Sequence, residues 1–391
     1  MSLETDYSEE ISNVFKEFQD EFAALASPTL SKEETLTSLF NSITDQDQRC
    51  ATILRFPWLR ALQFVPRLIM MFVCISYASM FHRVKSIPEN SVVFRTWLVQ
   101  RSFKETELID DYFRQLPKEL SKNERVIISF TSTDIRLLKK FGKIQTQDNQ
   151  IISYGLLSLF DVVILFCDYV ITGLLKCKNH YTLSGEDITP YINRSLLLDY
   201  LELRSFEAYA EKYKCKRLAL NKIKSFVYVY ENQSWEKVCC DVLRSHGVRL
   251  IGYQSSGFSP IFLNFFPTMD DSKQHPMPDI LLTVGESFKR YLMKNGKYSI
   301  PLETFAALRF SYPTNVGRYI VQPPNLKIIR KVLYAFPVHI DQYYQTIKDL
   351  IVVFGGSDIL VDLKFHPLYC SSEIEDEFIL PKNFNIVNEV D

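Results

Sequence analysis

The chain has 391 residues, 47% of them hydrophobic and 14% aromatic, with a formal charge of -1. It is too long for one ordinary core and apolar enough to bury two, so two packed domains behind a helical preface are expected. A balanced charge gives no polyanion-binding signal over the whole chain and no nucleic-acid motif is present, so DNA or RNA is not expected as a partner.

Eight scattered cysteines with no C-x-x-C pair and no histidine at zinc-ligand spacing point to reduced thiols and no metal centre. The acidic start MSLETDYSEE is unlike an export signal, so a cytoplasmic location is expected. Within the acidic first fifty residues, Ile11, Val14, Phe15, Phe18, Phe22 and Leu25 recur at helical spacing. That pattern predicts an amphipathic helix whose stripe docks on the protein body or on a second subunit.

The run ALQFVPRLIMMFVCISYASMFHRVK (61–85) is uncharged only from Leu68 to Phe81, short of the roughly 20 residues a spanning helix needs. It reads as a buried or interfacial helix. Arg55, Arg60, Arg67, Arg83 and Lys85 flank it, as in a helix lying on an anionic membrane, so peripheral contact with the inner face of the cytoplasmic membrane is one expectation and an ordinary core helix the other. A second apolar run, 151–175, contains Asp161 and Asp168. Each would cost about 2.5–3.5 kcal/mol at mid-bilayer, which favours a helix packed inside the first domain or touching lipid on one side.

SVVFRTWLV (91–99) and RVIISFTS (125–132) read as strands, with a helix between them at DDYFRQLPKEL (110–120). From 226 the alternation is regular: strand FVYVY, helix SWEKVCCDVLRSHG, strand VRLIGY, loop QSSGFSP, strand DILLTV, helix ESFKRYLMKNG. Strands separated by single helices predict an α/β fold with a parallel sheet covered on both faces. TNVGRYIVQPPN (314–325) is a linker candidate, because Pro323-Pro324 continues neither helix nor strand. Beyond it come strand VLYAFPV, a helix over 340–353, and strand VDLKFHP. The predicted units are therefore a helical region 1–90, a first domain 91–313, and a second, 326–391.

Ligands of open parallel sheets bind beyond the carboxyl ends of the strands. Four loops lie there. In ENQS (231–234), Gln233 or Ser234 is placed to cap the following helix, and Glu231 stands at the strand tip, where a carboxylate can take a proton or grip sugar hydroxyls beside Asn232 and Gln233. An alternative is that Glu231 and Asn232 only satisfy neighbouring backbone amides. The loop QSSGFSP, with Gln254, Ser255, Ser256 and Gly257, suits close backbone approach by a sugar or phosphate. Gly285 and Glu286 open a helix whose amides can hold an anion, and Lys364, His366 and Pro367 put two cations and a rigid turn where a nucleotide phosphate would lie. Met269-Asp270-Asp271, the nearest approach to a metal-binding acidic pair, falls in a polar loop and reads as solvated.

In DDYFRQLPKEL (110–120), YENQSWEK (230–237), IGYQSSGFSP (251–260), MPDILLTVGESFKRYL (277–292), ALRFSY (307–312) and LKFHP (363–367), the chain resembles bacterial surface-carbohydrate biosynthesis proteins of the GT-B glycosyltransferase type. The K-x-H-P element is similar to that of transferases using CMP-sugars, such as the sialic acid and Kdo types, and of CDP-glycerol-dependent polymer transferases. The resemblance implies two Rossmann-like domains, the first (91–313) holding the acceptor and the second (326–391) the nucleotide. It further implies Glu231 activating an acceptor hydroxyl, Lys364, His366 and Pro367 against the nucleotide phosphate, and Arg309 among the substrate contacts. The implied function is metal-independent, cofactor-free transfer of a sugar from a nucleotide donor to a lipopolysaccharide, capsule or other glycan or lipid-linked acceptor. The alternatives are a polyol-phosphate transferase using CDP-glycerol, or a non-catalytic scaffold in a glycan assembly complex. Two departures stand out. Ser255 occupies a position where relatives are expected to carry a histidine, and about 65 residues after the linker fall short of the roughly 120 that a full nucleotide-binding domain needs. The second domain is therefore expected to be incomplete: either the chain is a truncated product, or a further subunit or a homo-oligomer completes it.

Overall fold

The structure is a computed structural model that describes residues 26–28, 30, 57–104, 107–144, 149–183, 186–255, 263–269, 271, 275–308, 330–336, 341–365 and 378–387. The chain divides into two compact units, Met1–Ser311 and Tyr312–Asp391. The predicted N-terminal helix over 11–25 lies outside the described residues.

In the first unit the elements run α1 (Pro57–Phe81), β1 (Val92–Trp97), β2 (Val126–Thr131), α2 (Ile135–Phe141), β3 (Gln150–Ile152), α3 (Leu159–Thr172), α4 (Thr189–Leu201), α5 (Phe206–Leu220), β4 (Ser225–Val229), α6 (Ser234–Arg244), β5 (Arg249–Gln254), β6 (Ile280–Val284), α7 (Glu286–Asn295) and β7 (Leu302–Phe305). The seven strands pair in the order β7-β6-β5-β4-β1-β2-β3, every pair parallel. The chain leaves β1 on one side to build β2 and β3, then returns to its other side for β4. A doubly wound sheet with its topological switch point between β1 and β4 results, the position where such sheets place their ligands. The predicted α/β class with parallel sheets is what the chain forms.

β1 and β4 are buried on both faces, which explains their mostly apolar sequences. One face of β1, with Val92 and Phe94, joins Phe113, Val227, Val229 and Tyr253. Its other face carries Val93, Arg95 and Trp97 toward α5 and α6, and Arg95 is 1% exposed. Burying a guanidinium is costly unless it is paired. Here Glu207 and Glu211 of α5 accept from it, Glu211 at 3.2 Å, and Lys214 donates to Glu211 at 2.7 Å. Two cationic side chains face two acidic ones, so their formal charges cancel. Burial works against charge on Arg95, but the two glutamates outweigh it and its pKa stays raised; burial likewise opposes ionised Glu211, and Lys214 and Arg95 bring its pKa down.

Three expectations need correction. DDYFRQLPKEL forms a single helical turn, Leu116–Leu120, because Pro117 suits a first turn and disfavours helix before it, and Arg114 sits at φ 49°. The run 151–175 is split: Ile151 and Ile152 end β3, a tight turn spans Ser153–Leu156, and α3 starts only at Leu159. Gly155 makes that turn possible, since a Cβ there would meet the His82 carbonyl oxygen at 2.0 Å. Helix α1 is longer than its uncharged run, passing through Pro66 and Arg67, so Ala61–Phe81 reaches 21 residues and is long and apolar enough to cross a membrane.

The second unit contains β8 (Lys331–Ala335), α8 (Asp341–Phe354), β9 (Leu360–Lys364) and β10 (Phe384–Ile386), a parallel sheet in the order β8-β9-β10. Phe336, Tyr343, Ile347, Val361, Leu363 and Phe365 form its core.

Removing one member of the Arg95 cluster should leave an uncompensated buried charge. Glu211→Ala is expected to lose about 3–5 kcal/mol in urea unfolding, and Glu207→Ala less, because its side chain is 36% exposed. A loss for Glu211→Ala no larger than that of an exposed ion pair, about 1 kcal/mol, would contradict this reading.

Candidate functional site at the sheet switch point

The loop that follows β4 is wound around a carboxylate. Glu236, in the first turn of α6 and 1% exposed, accepts the backbone N–H groups of Glu231 at 2.9 Å and Asn232 at 3.0 Å. Burial pushes its carboxyl well above the usual range, and the amide donors only partly offset that. Gln233 is the N-cap residue of α6, yet its side chain makes no capping bond. The side-chain cap expected of Gln233 or Ser234 is thus not made by the N-cap residue Gln233; the Gln233 backbone carbonyl accepts from the backbone N–H groups of Glu236 and Lys237, and the Glu236 side chain reaches back to hold the loop before the helix. Asn232 is buried at φ 54°, a conformation asparagine tolerates better than most residues. Its side chain donates to the Asn264 carbonyl at 2.8 Å, and the Asn264 amide donates to the Glu231 carbonyl in return.

Gln233 has another task. Trp235 Nε1 donates to Gln233 Oε1 at 2.5 Å, and Gln233 Nε2 donates to Glu231 Oε2 at 2.8 Å. An indole N–H can only donate, so the amide orientation is determined and its NH₂ must face Glu231. Trp235 is held in turn: its ring lies 3.6 Å from the Arg95 guanidinium carbon and packs edge-on to Trp97 at 5.7 Å and Tyr228 at 5.8 Å. A continuous chain therefore runs from the buried ion cluster through Arg95, Trp235 and Gln233 to Glu231. Glu231 itself is half-buried, its carboxylate fixed at the carboxyl end of β4.

A second carboxyl at the switch point carried no signal of its own in the sequence. Thr96, next to last in β1, donates to Asp110 Oδ1 at 2.9 Å, and the Tyr112 backbone N–H donates to the same oxygen at 2.8 Å. Asp110 is 3% exposed, and its Oδ2 has no hydrogen-bond partner among the described residues. Burial pushes its pKa up to about 6, against the pull of those donors and of the Phe113 backbone N–H. Arg95 pairs with Tyr228 in the β1–β4 register, so Thr96 and its attached Asp110 lie at the strand ends that also present Glu231. The repeated Asp110-Asp111 was the only hint, and the two diverge: Asp111 forms ion pairs with Arg101 at 2.5 Å and Arg114 at 3.2 Å.

The other predicted positions are dispersed over the two units. Gln254, at the end of β5, is buried and accepts the Val284 backbone N–H at 3.1 Å, tying β5 to β6. Ser255 is buried, with its hydroxyl unpartnered among the described residues. Gly285, at φ 93°, is the N-cap residue of α7, and Glu286 accepts from Thr304 at 2.6 Å on the surface. Lys364 ends β9 in the second unit. Ser256, Gly257, Arg309, His366 and Pro367 lie outside the described residues. Asp271, expected in solvent, is buried instead: it accepts the Thr268 N–H at 2.8 Å, while its own N–H donates to the Thr268 hydroxyl.

Glu211, Cys215 and Cys239 bring potential metal ligands within 4.8 Å of one another. Arg95 and Lys214 already supply the positive charge there, and burial pushes the Cys239 thiol well up, so this cluster has the chemistry of a packed ion network.

The carboxyl of Asp110 should mark itself in the pH dependence of stability. Its folded pKa of about 6 lies above the unfolded value near 4, so its contribution is fully present below pH ~4 and lost as pH rises through ~6. Asp110→Asn is expected to gain on the wild type across that window, reaching about 3 kcal/mol at neutral pH. Denaturant unfolding at a series of pH values checks this, and a difference constant from pH ~4 to ~7 would contradict it.

No family model matches the chain, and no curated protein matches it. Among solved structures, a UDP-N-acetylglucosamine 2-epimerase from Rickettsia bellii is similar, with a TM-score of 0.40 and 10% identity over 77% of this chain and 69% of that chain.

Proposed function

We infer that the chain is a sugar-nucleotide enzyme that transfers a glycosyl group, with Glu231 as the base for the acceptor. The observation that carries this reading is the fixed carboxylate at the switch point, held by Gln233 and Trp235 on the Arg95 cluster. Partly accessible and pre-positioned, Glu231 is suited to take the proton of a sugar hydroxyl as its oxygen bonds to the anomeric carbon of the donor. The bond from that carbon to the nucleotide phosphate breaks, and the phosphate leaves with the electron pair. Lys364, His366 and Pro367 are the proposed phosphate contacts, the two cations offsetting the leaving charge without a metal ion. Asp110 is a second proton-exchanging group at the same strand ends. The resemblance in the YENQSWEK and K-x-H-P elements favours a CMP-linked donor and a bacterial surface glycan as acceptor.

Glu231→Gln retains shape and hydrogen bonding but not basicity. Product formation from CMP-, CDP- and UDP-linked donors, read by mass spectrometry, should fall roughly 10²–10⁴-fold in kcat, with nucleotide affinity by titration calorimetry nearly unchanged. Gln233→Ala should cost less, roughly tenfold, by releasing the carboxylate rather than removing it. Full turnover in Glu231→Gln would sink the assignment of the base. Absence of saturable binding by any nucleotide would sink the enzyme reading and leave a scaffold.

A further inference from the structure

We propose that α1 and α3 form a docking face for an anionic phospholipid bilayer, with a cationic cavity at its edge that takes a lipid phosphate. Both helices are apolar on two sides. α1 docks on the core through Leu68, Met71, Ile75 and Ala78, while Leu62, Val65, Ile69, Val73 and Met80 recur at helical spacing on its opposite side, each at least 50% exposed. α3 docks through Val162, Leu165, Phe166 and Tyr169 and exposes Phe160, Val163, Ile164, Val170 and Ile171. The helices pack side by side, Phe72 edge-on to Phe166 at 5.1 Å, so the two uncovered stripes adjoin. A helix apolar all round belongs in a core or against lipid, and only 22% of the Ala61–Phe81 stretch is buried.

The carboxylates that would oppose contact with lipid are turned away from this face. Asp161 is bound by Arg217 at 2.6 Å, and Asp168 by Lys212 and Tyr213, both at 2.9 Å, all toward α5. Where the end of α1 meets the start of α3, a cavity of about 310 Å³ is lined by Arg83, Lys85, Ser86, Ser158, Arg217 and exposed Leu220. Asp161 neutralises Arg217. Arg83 and Lys85 are exposed and in no ion pair among the described residues, which leaves the cavity a net positive charge beside the apolar face. Apolar surface for acyl chains, bordered by unpaired cations at headgroup level, is the complement of an anionic monolayer. α1 lies along the interface, because its core-facing side stays packed on the domain, with Ser79 donating to the Leu157 carbonyl at 2.6 Å.

Co-sedimentation of the full chain with vesicles tests this. Binding is expected to vesicles containing phosphatidylglycerol and to be at least tenfold weaker to pure phosphatidylcholine. The double variant Arg83→Glu/Lys85→Glu should lose that preference, and Ile69→Asp/Ile171→Asp should lose binding to both, with circular dichroism unchanged because all four side chains are exposed. Alkaline carbonate should strip the wild type from membranes. Failure to bind either vesicle, an anionic preference untouched by the charge reversals, or resistance to carbonate, the mark of a spanning helix, would overturn the proposal. A stable dimer that Ile69→Asp/Ile171→Asp converts to monomer would do the same, assigning the face to a second copy of the chain.

Discussion

A guanidinium shut away from water at the centre of a parallel sheet is the constraint on which the switch point depends. Arg95 can occupy β1 only because α5 supplies Glu207 and Glu211 and because Trp235 and Trp97 cover its faces. Those partners restrict α5 and α6 in turn: the glutamates set the rotation of α5, and Trp235 fixes the first turn of α6. A well-packed apolar cluster in the same place would be at least as stabilising. What the ionic version adds is orientation, because a planar cation paired on its edge and covered on its face leaves Trp235 little freedom. The indole N–H then dictates the Gln233 amide, and the amide dictates Glu231.

Much of this architecture was legible in the sequence, for a simple reason. Buried parallel strands favour runs rich in β-branched, aromatic and aliphatic residues, and VVFRTW, VIISFT, SFVYV and ILLTV are such runs, the first interrupted by Arg95. Helices α4 and α5 were not legible. In α5, FEAYAEKYKCKRLAL, the charged residues that resemble a solvated face include Glu211 and Lys214, which are buried, so the pattern separating inside from outside is scrambled. A usable signal existed: one arginine in an otherwise apolar strand requires carboxylates elsewhere, and Glu207 and Glu211 stand four residues apart on one helix face.

The candidate site divides along similar lines. Glu231 follows from strand-end placement alone. The division of labour around it does not, because Gln233 and Glu236 both appear as helix-start residues and only their partners show that one caps the loop while the other positions a carboxylate. Asp110 was hidden because its value lies in burial, and neither its spacing nor its neighbours in the sequence disclose that. Two acids thus stand at adjoining strand ends, one partly accessible and one buried with a raised pKa.

The indole N–H resonance of Trp235 reports directly on the chain of contacts from Arg95 to Glu231. The protein has three tryptophans, Trp58, Trp97 and Trp235, so their indole signals can be assigned by single substitution. Titrating labelled, donor-loaded protein with the glycan acceptor should move the Trp235 signal along the same isotherm as acceptor binding, because an acceptor hydroxyl on Glu231 alters the bond that Gln233 shares with both. Saturable binding that leaves the Trp235 signal where it was would place the ligand elsewhere and contradict the account.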